Sequence, residues 1–390
     1  SGVAIKQIVA TYVDQARTEE GLLDVKVIEN SSITSQGYVT DMVITKYSGC
    51  AFEDMGEIVP SGEIDRQFIH TAAADFDLRG NAKEQSIIRE YWGTYTEAGV
   101  EKQGFIFSEA QKISNSQIDF HDRSHQSLIK TYGQGSAAWN KTTKAYDITI
   151  ADSTFQDIQK ISIAADKFDL FGNVLEQTAD TYTTIDMVEG TLLNHKVITN
   201  DYLGSGSIQI RLADGSVITV PSELAQRRGS AITTTVTKYN SLTESLDTKV
   251  DRTVTNTSLF DYRGYALIQT QDTYVVDRYT SPTSPAEKLA ETRYITNDNL
   301  NNRGDAANQY IKTTRTDSTG ANPQEVSYQV FTNRLFDSQH NVTNQMVLTY
   351  DREGAGNILL DVQEIRSIGF HSSGVAIKQI VATYVDQART

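Results

Sequence analysis

Cysteine is nearly missing from this sequence: Cys50 stands alone among 390 residues, so no disulfide can form within the chain and no cysteine metal cluster can exist. Proline is scarce at five residues, and the apolar share is 38%, against roughly 45–50% in an ordinary globular domain. That shortfall points to thin layers rather than a thick core. No apolar stretch approaches the roughly 18–20 residues that span a bilayer, and no charged-then-apolar leader is visible. The chain starts at Ser1, so any signal peptide is expected upstream. P-loop, nucleophile-elbow, zincin and dinucleotide signatures are missing too. The expectation is therefore a chain without catalysis, cofactor or metal.

What is present has a consistent bias. Fifty acidic residues against 35 basic ones leave a net charge of -15 and a pI near 4.9. A surface of that sign repels nucleic-acid phosphates and anionic membranes, so neither nucleic acid nor membrane insertion is expected. Nineteen tyrosines and abundant Thr and Ser suit the pleated, half-buried surfaces of strands. All-β is the expected class.

The largest regularity is a long repeat. SGVAIKQIVATYVDQART at 1–18 returns unchanged at 373–390, an offset of 372 residues. Two explanations fit: a strand copied onto one end, as in donor-strand designs, or a window onto a longer chain repeating every 372 residues. Within the period a shorter motif recurs: an aromatic and Asp, two residues, Gly, then Gln five and Tyr ten places after the Gly. Three copies are nearly complete. They are FDLRGN with Asp77, Gly80, Gln85 and a late Tyr91; FDLFGN with Asp169, Gly172, Gln177 and Tyr182; and FDYRGY with Asp261, Gly264, Gln269 and Tyr274. In FDSQHN, Asp337 precedes His340 in the Gly place, with Gln345 and Tyr350 on schedule.

Weaker copies keep part of the spacing: Gly37 with Tyr47, Asp201 with Gly204 and Gln209, Gly229 with Tyr239, Asn301 with Gly304 and Gln309, and a blurred one around Phe120 and Tyr132. Phe370, Gly374, Gln379 and Tyr384 have the full spacing, and Gly2, Gln7 and Tyr12 are their truncated twin. The long repeat is thus cut inside a short unit, at its turn, which favours the window. Residues 1–372 read as one period of about ten units, and 373–390 as the start of the next.

Each unit reads as a β-hairpin. Asp caps nearby amides and Gly tolerates positive φ, while the flanking QKISIAADK and VLEQTADTYTT largely alternate. Asp214-Gly215 reads as a two-residue turn, 232–239 and 248–255 as an antiparallel pair, and 221–228 and 284–293 as two short helical candidates or loops. A lone hairpin is marginal in water, so the units must pair. The expected architecture is a continuous antiparallel sheet of tandem hairpins, coiled or closed into a tube, shell or filament segment.

The aromatic-Asp-x-x-Gly segments with trailing Gln and Tyr resemble the YD repeats of Rhs and teneurin-type proteins. That resemblance implies hairpins wound into large secreted or surface shells, hence an extracellular or cell-surface location. Units here are longer than in those families, and the self-cleaving and toxin parts have no match.

Other candidates read mostly as turn chemistry or chance. They are the four-apart pair His121 and His125, the oxygen-rich NDNLNNRGD at 297–305 with its Arg303-Gly304-Asp305 triplet, and the recurring Gln and Tyr as repeat-serving groups. Asn30, Asn140, Asn256 and Asn341 sit in glycosylation sequons, so glycans are a conditional partner and the protein itself the main one. The function expected is a structural, self-assembling repeat of a giant extracellular filament, tube or shell. A surface adhesin displaying Trp92 or Trp139, or a toxin-enclosing shell, is the alternative.

Overall fold

A computed structural model describes residues 3–12, 22–52, 58–279, 285–301, 304–337, 340–370 and 376–387. The chain is all-β: 21 of its 23 strands belong to one sheet, in which nearly every pairing is antiparallel and joins strands consecutive in sequence. It divides into two compact units, one built mainly from residues 1–161 and the other mainly from 162–390.

The first unit holds β1 (Lys6–Tyr12), β2 (Leu22–Ile33), β3 (Val39–Phe52), β4 (Ile58–His70), β5 (Glu84–Glu97), β6 (Val100–Ile118), β7 (Ser124–Tyr132), β8 (Gly135–Asn140), β9 (Ala145–Ile150) and β10 (Phe155–Ser162). Strands β1 to β7 pair in chain order. Cross-strand partners share a face, so one row runs Lys6, Glu29, Val43, Phe68, Ile88, Ala110, Tyr132. From Val43 onward the row is buried, and it forms the core.

A separate two-stranded hairpin, β8–β9, covers that row with Ala137, Tyr146 and Ile148. The Phe68 and Tyr146 rings lie 4.7 Å apart. Contact is so close that a Cβ on Gly135 would fall 2.5 Å from Ile88 Cδ1 and 2.9 Å from Ala110 Cβ, which is why the hairpin begins on a glycine.

The second unit holds β11 (Glu176–Tyr182), β12 (Leu192–Asp201), β13 (Ser207–Arg211), β14 (Val217–Pro221), α1 (Glu223–Arg228), β15 (Thr233–Tyr239), β16 (Lys249–Asp261), β17 (Ala266–Asp277), β18 (Ala286–Leu300), β19 (Ala306–Arg315), β20 (Gln324–Phe336), β21 (Val342–Tyr350), β22 (Leu359–Phe370) and β23 (Ala376–Tyr384). Its ladder runs β11, β12, β15 and onward in order to β23. Hairpin β13–β14 and helix α1 are inserted between β12 and β15. They pack through Ile208, Ile210, Ala225 and Phe260, with β13 parallel to the end of β16.

The continuous antiparallel sheet of tandem hairpins is as expected; of the two forms left open, coiled or closed, it is not closed into a barrel, since among the described residues β1 pairs only with β2 and β23 only with β22. Two local expectations change. Of the helical candidates, 223–228 is a helix, whereas 286–300 is strand β18. Helix propensity of a few tenths of a kcal/mol per residue yields there to pairing on both edges, with β17 and β19. The Asp214-Gly215 turn is a three-residue loop, closed by Leu212 N–H to the Ser216 carbonyl and Gly215 N–H to the Leu212 carbonyl.

Ile88 is fully buried at the centre of the row. Ile88→Ala is expected to cost about 2–5 kcal/mol, seen as a lower urea midpoint for the first unit, and an unchanged midpoint would mean this row is not its core.

Candidate functional site

The chemistry that recurs in this chain lies at the hairpin turns. At FDLRGN, Asp77 N–H donates to the Asn81 carbonyl and Gly80 N–H to the Asp77 carbonyl, a type I turn closed by a residue in the left-handed region. The Asp77 carboxylate accepts from the Arg79 and Asn81 amides and from Asn81 Nδ2, at 2.8, 2.8 and 3.0 Å. Asp169 does the same with Phe171 and Asn173. Asp261 bonds the amides of Arg263 and Tyr265, and the Arg263 guanidinium takes over the side-chain contact. Asp337 bonds Asn341 through both backbone and side chain.

The circuit tolerates exchange of every member. Thr34 and Asn301 stand in the Asp place and still accept from the amide four residues on. The residue needing positive φ is Gly172 at 84° and Gly264 at 98°, but also Asp122 at 64° and His340 at 68°, residue types that enter this region more readily than most. The blurred copy is thereby resolved: its capping residue is Asp119, bonded to the His121 and Arg123 amides. Phe120 lies inside the loop and has no repeat role.

Behind each turn a second circuit ties one unit to the next. Four residues before the capping position stands Asn30, Asn115, Asn297 or Asn333. Their side-chain amides donate to the carbonyls of Ala4, Ala82, Ala266 and Ala306, each the first residue after the preceding turn or its sequence equivalent. Asn200, ahead of the inserted hairpin and helix, bonds Val174 in the same way. The recurring Gln lies across the strand from this position: Gln269 and Gln379 donate to Thr257 and Ser367 at 3.2–3.3 Å and Gln309 to Asn297 at 2.8 Å, while Gln85 donates at 3.3 Å to Thr71, six residues before its cap. Gln345 faces Asn333, and Gln177 pairs with Ile198 of β12. The spacing of these asparagines was readable in the sequence, but no local feature marked them as ties between units.

The Tyr position marks a β-bulge. Ladder register shifts at Tyr12, Tyr47, Tyr182, Tyr239, Tyr274 and Tyr350. It shifts likewise at Glu90, where Tyr91 is one place late, and at Thr314 in the β19 copy. A bulge adds local twist. Tyr182 and Tyr239 are buried there, which raises their phenol pKa, and the Arg252 guanidinium lies 4.0 Å from the Tyr274 ring centroid. Tyr384 pairs with Val362. Gly374 lies outside the described residues, as do Gly2 and Arg303.

Asp201 and Gly229 belong to one connection. Strand β12 pairs directly with β15, and Ile232 N–H donates to the Asp201 carbonyl, so the two weak copies form one unit with an insertion. Among the described residues, eight connections lie at this end of the hairpins, beginning at Thr34, Asp77, Asp119, Asp169, Asp201, Asp261, Asn301 and Asp337. Helix α1 caps the neighbouring turn: Gln226 Nε2 donates to Asp169, and Asn173 Nδ2 to the Gln226 carbonyl.

His125 bonds Asp119 at 3.2 Å, and the His121 ring lies tilted against that of Phe120 with centroids 3.9 Å apart. No group of three or more His, Cys, Asp or Glu suited to a metal occurs among the described residues. Asp305 is buried against Asn301. Of the sequon residues, Asn30 is 8% exposed and Asn256 is exposed; Asn140 and Asn341 are bonded within their own turns. Trp92 packs edge-on to Phe105, while Trp139 and Tyr146 line a cavity of about 740 Å³ with Ile5, Lys6, Glu29 and Asn30.

No family model and no curated protein matches this chain. A solved structure, TcdB2-TccC3-TEV, is similar at 9% identity and a TM-score of 0.18, over 99% of this chain and 20% of that one. The chain spans about a fifth of that structure's length.

Three of the turn carboxylates, Asp77, Asp119 and Asp169, are held in their charged form. Asp77 lies below the usual 3.8 through hydrogen bonds from Asn81, and Asp119 lies well below it because bonds from Arg123, His121 and His125 outweigh desolvation. Asp169 is lowered as well: desolvation opposes the shift, and bonds from Asn173 and Gln226 overcome it. A pKa lower in the folded state contributes stability above the unfolded value, and that contribution is lost as pH falls through the folded value. The urea midpoint is expected to drop below about pH 4, and to drop less in an Asp119→Asn, Asp169→Asn double variant; equal drops would remove the turns as its source. Gly172→Ala is expected to cost about 1–3 kcal/mol from backbone strain alone, since nothing lies within 4 Å of the added methyl.

Proposed function

We propose that this chain is a structural period of a giant extracellular or cell-surface β-repeat protein that assembles with itself into a filament, tube or shell and performs no catalysis. One observation carries the reading. The segment 373–390, which restarts the long repeat, does not begin a new domain: its strand β23 forms the second half of a hairpin with β22, pairing Phe370 with Ala376 through Val362 with Tyr384. The repeat thus turns over inside a sheet.

The rest of the molecule suits such a role. Turn, tie and bulge use side chains for architecture, and the insertions between units vary without disturbing the ladder. Repeats whose members contact only their neighbours extend by adding stability unit by unit. Acidity and an exposed sequon at Asn256 support a secreted, soluble surface.

The native protein is expected to run far above 43.2 kDa on a denaturing gel and to show filaments or tubes in negative stain. A native band near that mass with no assemblies would overturn the reading.

A further inference from the structure

Among the described residues each copy of the repeated segment pairs on one edge, and the two copies pair on opposite edges. In β1, Lys6 pairs with Glu29 and Ile8 with Val27, on the side of the strand that follows. In β23 the same residues, Lys378 and Ile380, pair with Ile368 and Arg366, on the side of the strand that precedes. Exposure follows: Ile8 is half-buried, while its twin Ile380 is 52% exposed. We propose that the open edge of β23 is the docking site for β2 of a second copy, which it joins in the register seen between β1 and β2, taking the place of that copy's own β1. This rests on the tandem reading above and specifies its junction.

Backbone geometry fits. Asn30 N–H donates to the Ile5 carbonyl, and in an antiparallel ladder successive residues aim their amides at opposite neighbours. Gln7, Val9 and Thr11 therefore face β2, and their twins Gln379, Val381 and Thr383 aim unpaired groups outward from β23. The exchange swaps one pairing for its copy, so β2 loses nothing. Strand β23 gains its missing partner.

Side chains fit too. Cross-strand partners share a face, so Ile368, 55% exposed, lies on the face that carries Lys378. In β1 that face carries Lys6, ion-paired to Glu29 at 3.3 Å, and both line the cavity beneath Trp139 and Tyr146. Docking brings Ile368 of the first copy to the rim of the second copy's cavity, beside an indole that is 48% exposed.

Disulfide trapping tests this on the 390-residue chain with Cys50→Ser, Ile380→Cys and Val27→Cys. Ile8 and Val27 form a non-hydrogen-bonded pair, whose Cα separation near 4.5 Å suits a disulfide. The expected result is a non-reducing ladder of dimers, trimers and higher bands, removed by reductant. Moving the second cysteine to Val25, out of register, is expected to erase the ladder. Val381→Pro is expected to erase it too while leaving the urea midpoint close to the parent's, because proline is tolerated where its N–H faces away from the ladder; a collapsed midpoint would mean that Val381 faces β22, and the register would be wrong.

A single fast-migrating internal disulfide would overturn the proposal in favour of closure within one chain, and no cross-link would overturn it outright. In a Trp92→Phe background, Trp139 emission should shift to the blue as the ladder grows. A full ladder without the shift would remove Ile368 from the cavity. A ladder with a native mass near 43 kDa would sink the covalent array and leave the junction standing. A giant native chain with no ladder would do the reverse.

Discussion

A strand has two edges, and each carries backbone groups that must find partners. Nearly everything in this molecule is a response to that constraint. Water satisfies an edge poorly as a basis for folding, a single hairpin is marginal, and an open edge invites pairing with another chain. Here each hairpin's outer strand is the inner partner of the next hairpin, so the problem is passed along the chain rather than solved by closure. The ties from Asn115 to Ala82 and from Asn297 to Ala266 lie where this handover occurs. Polar side chains there do for neighbouring units what the ladder does for neighbouring strands.

The turn shows why such a design survives sequence drift. Its job is to reverse the chain in three residues and satisfy the loop amides. An acceptor at the first position and a residue that accepts positive φ at the fourth are enough, so Thr34, Asn301, Asp122 and His340 serve in a motif otherwise written Asp and Gly. The Tyr position obeys a looser rule. Its bulge persists where the residue is Glu90 or Thr314, which makes the backbone irregularity the repeated feature and the ring a common way of covering it.

Insertions mark where the repeat is free to vary. Hairpin β8–β9 roofs the apolar row of the first unit, and β13, β14 and α1 roof a second cluster around Phe260. Both supply apolar cover that a single sheet lacks, which reconciles a low apolar content with buried residues such as Ile88 and Ala110. Both also place unusual groups at a surface: Trp139 at a cavity in one case, and Gln226 against a repeat turn in the other.

The amino-acid sequence by itself determined the β class, the 372-residue recurrence and the turn, because these depend on residues within a few places of one another. Asp169 and Gly172 needed nothing distant to declare themselves. Only the tertiary structure decided what depends on pairing between segments far apart. It assigned Asp201 and Gly229 to a single unit, drew 286–300 into a strand against its helical composition, and gave Asn30 a partner 26 residues away. It also separated two identical segments by their neighbours. Nothing in the residues of β1 or β23 distinguishes them; the difference lies wholly in which edge is filled.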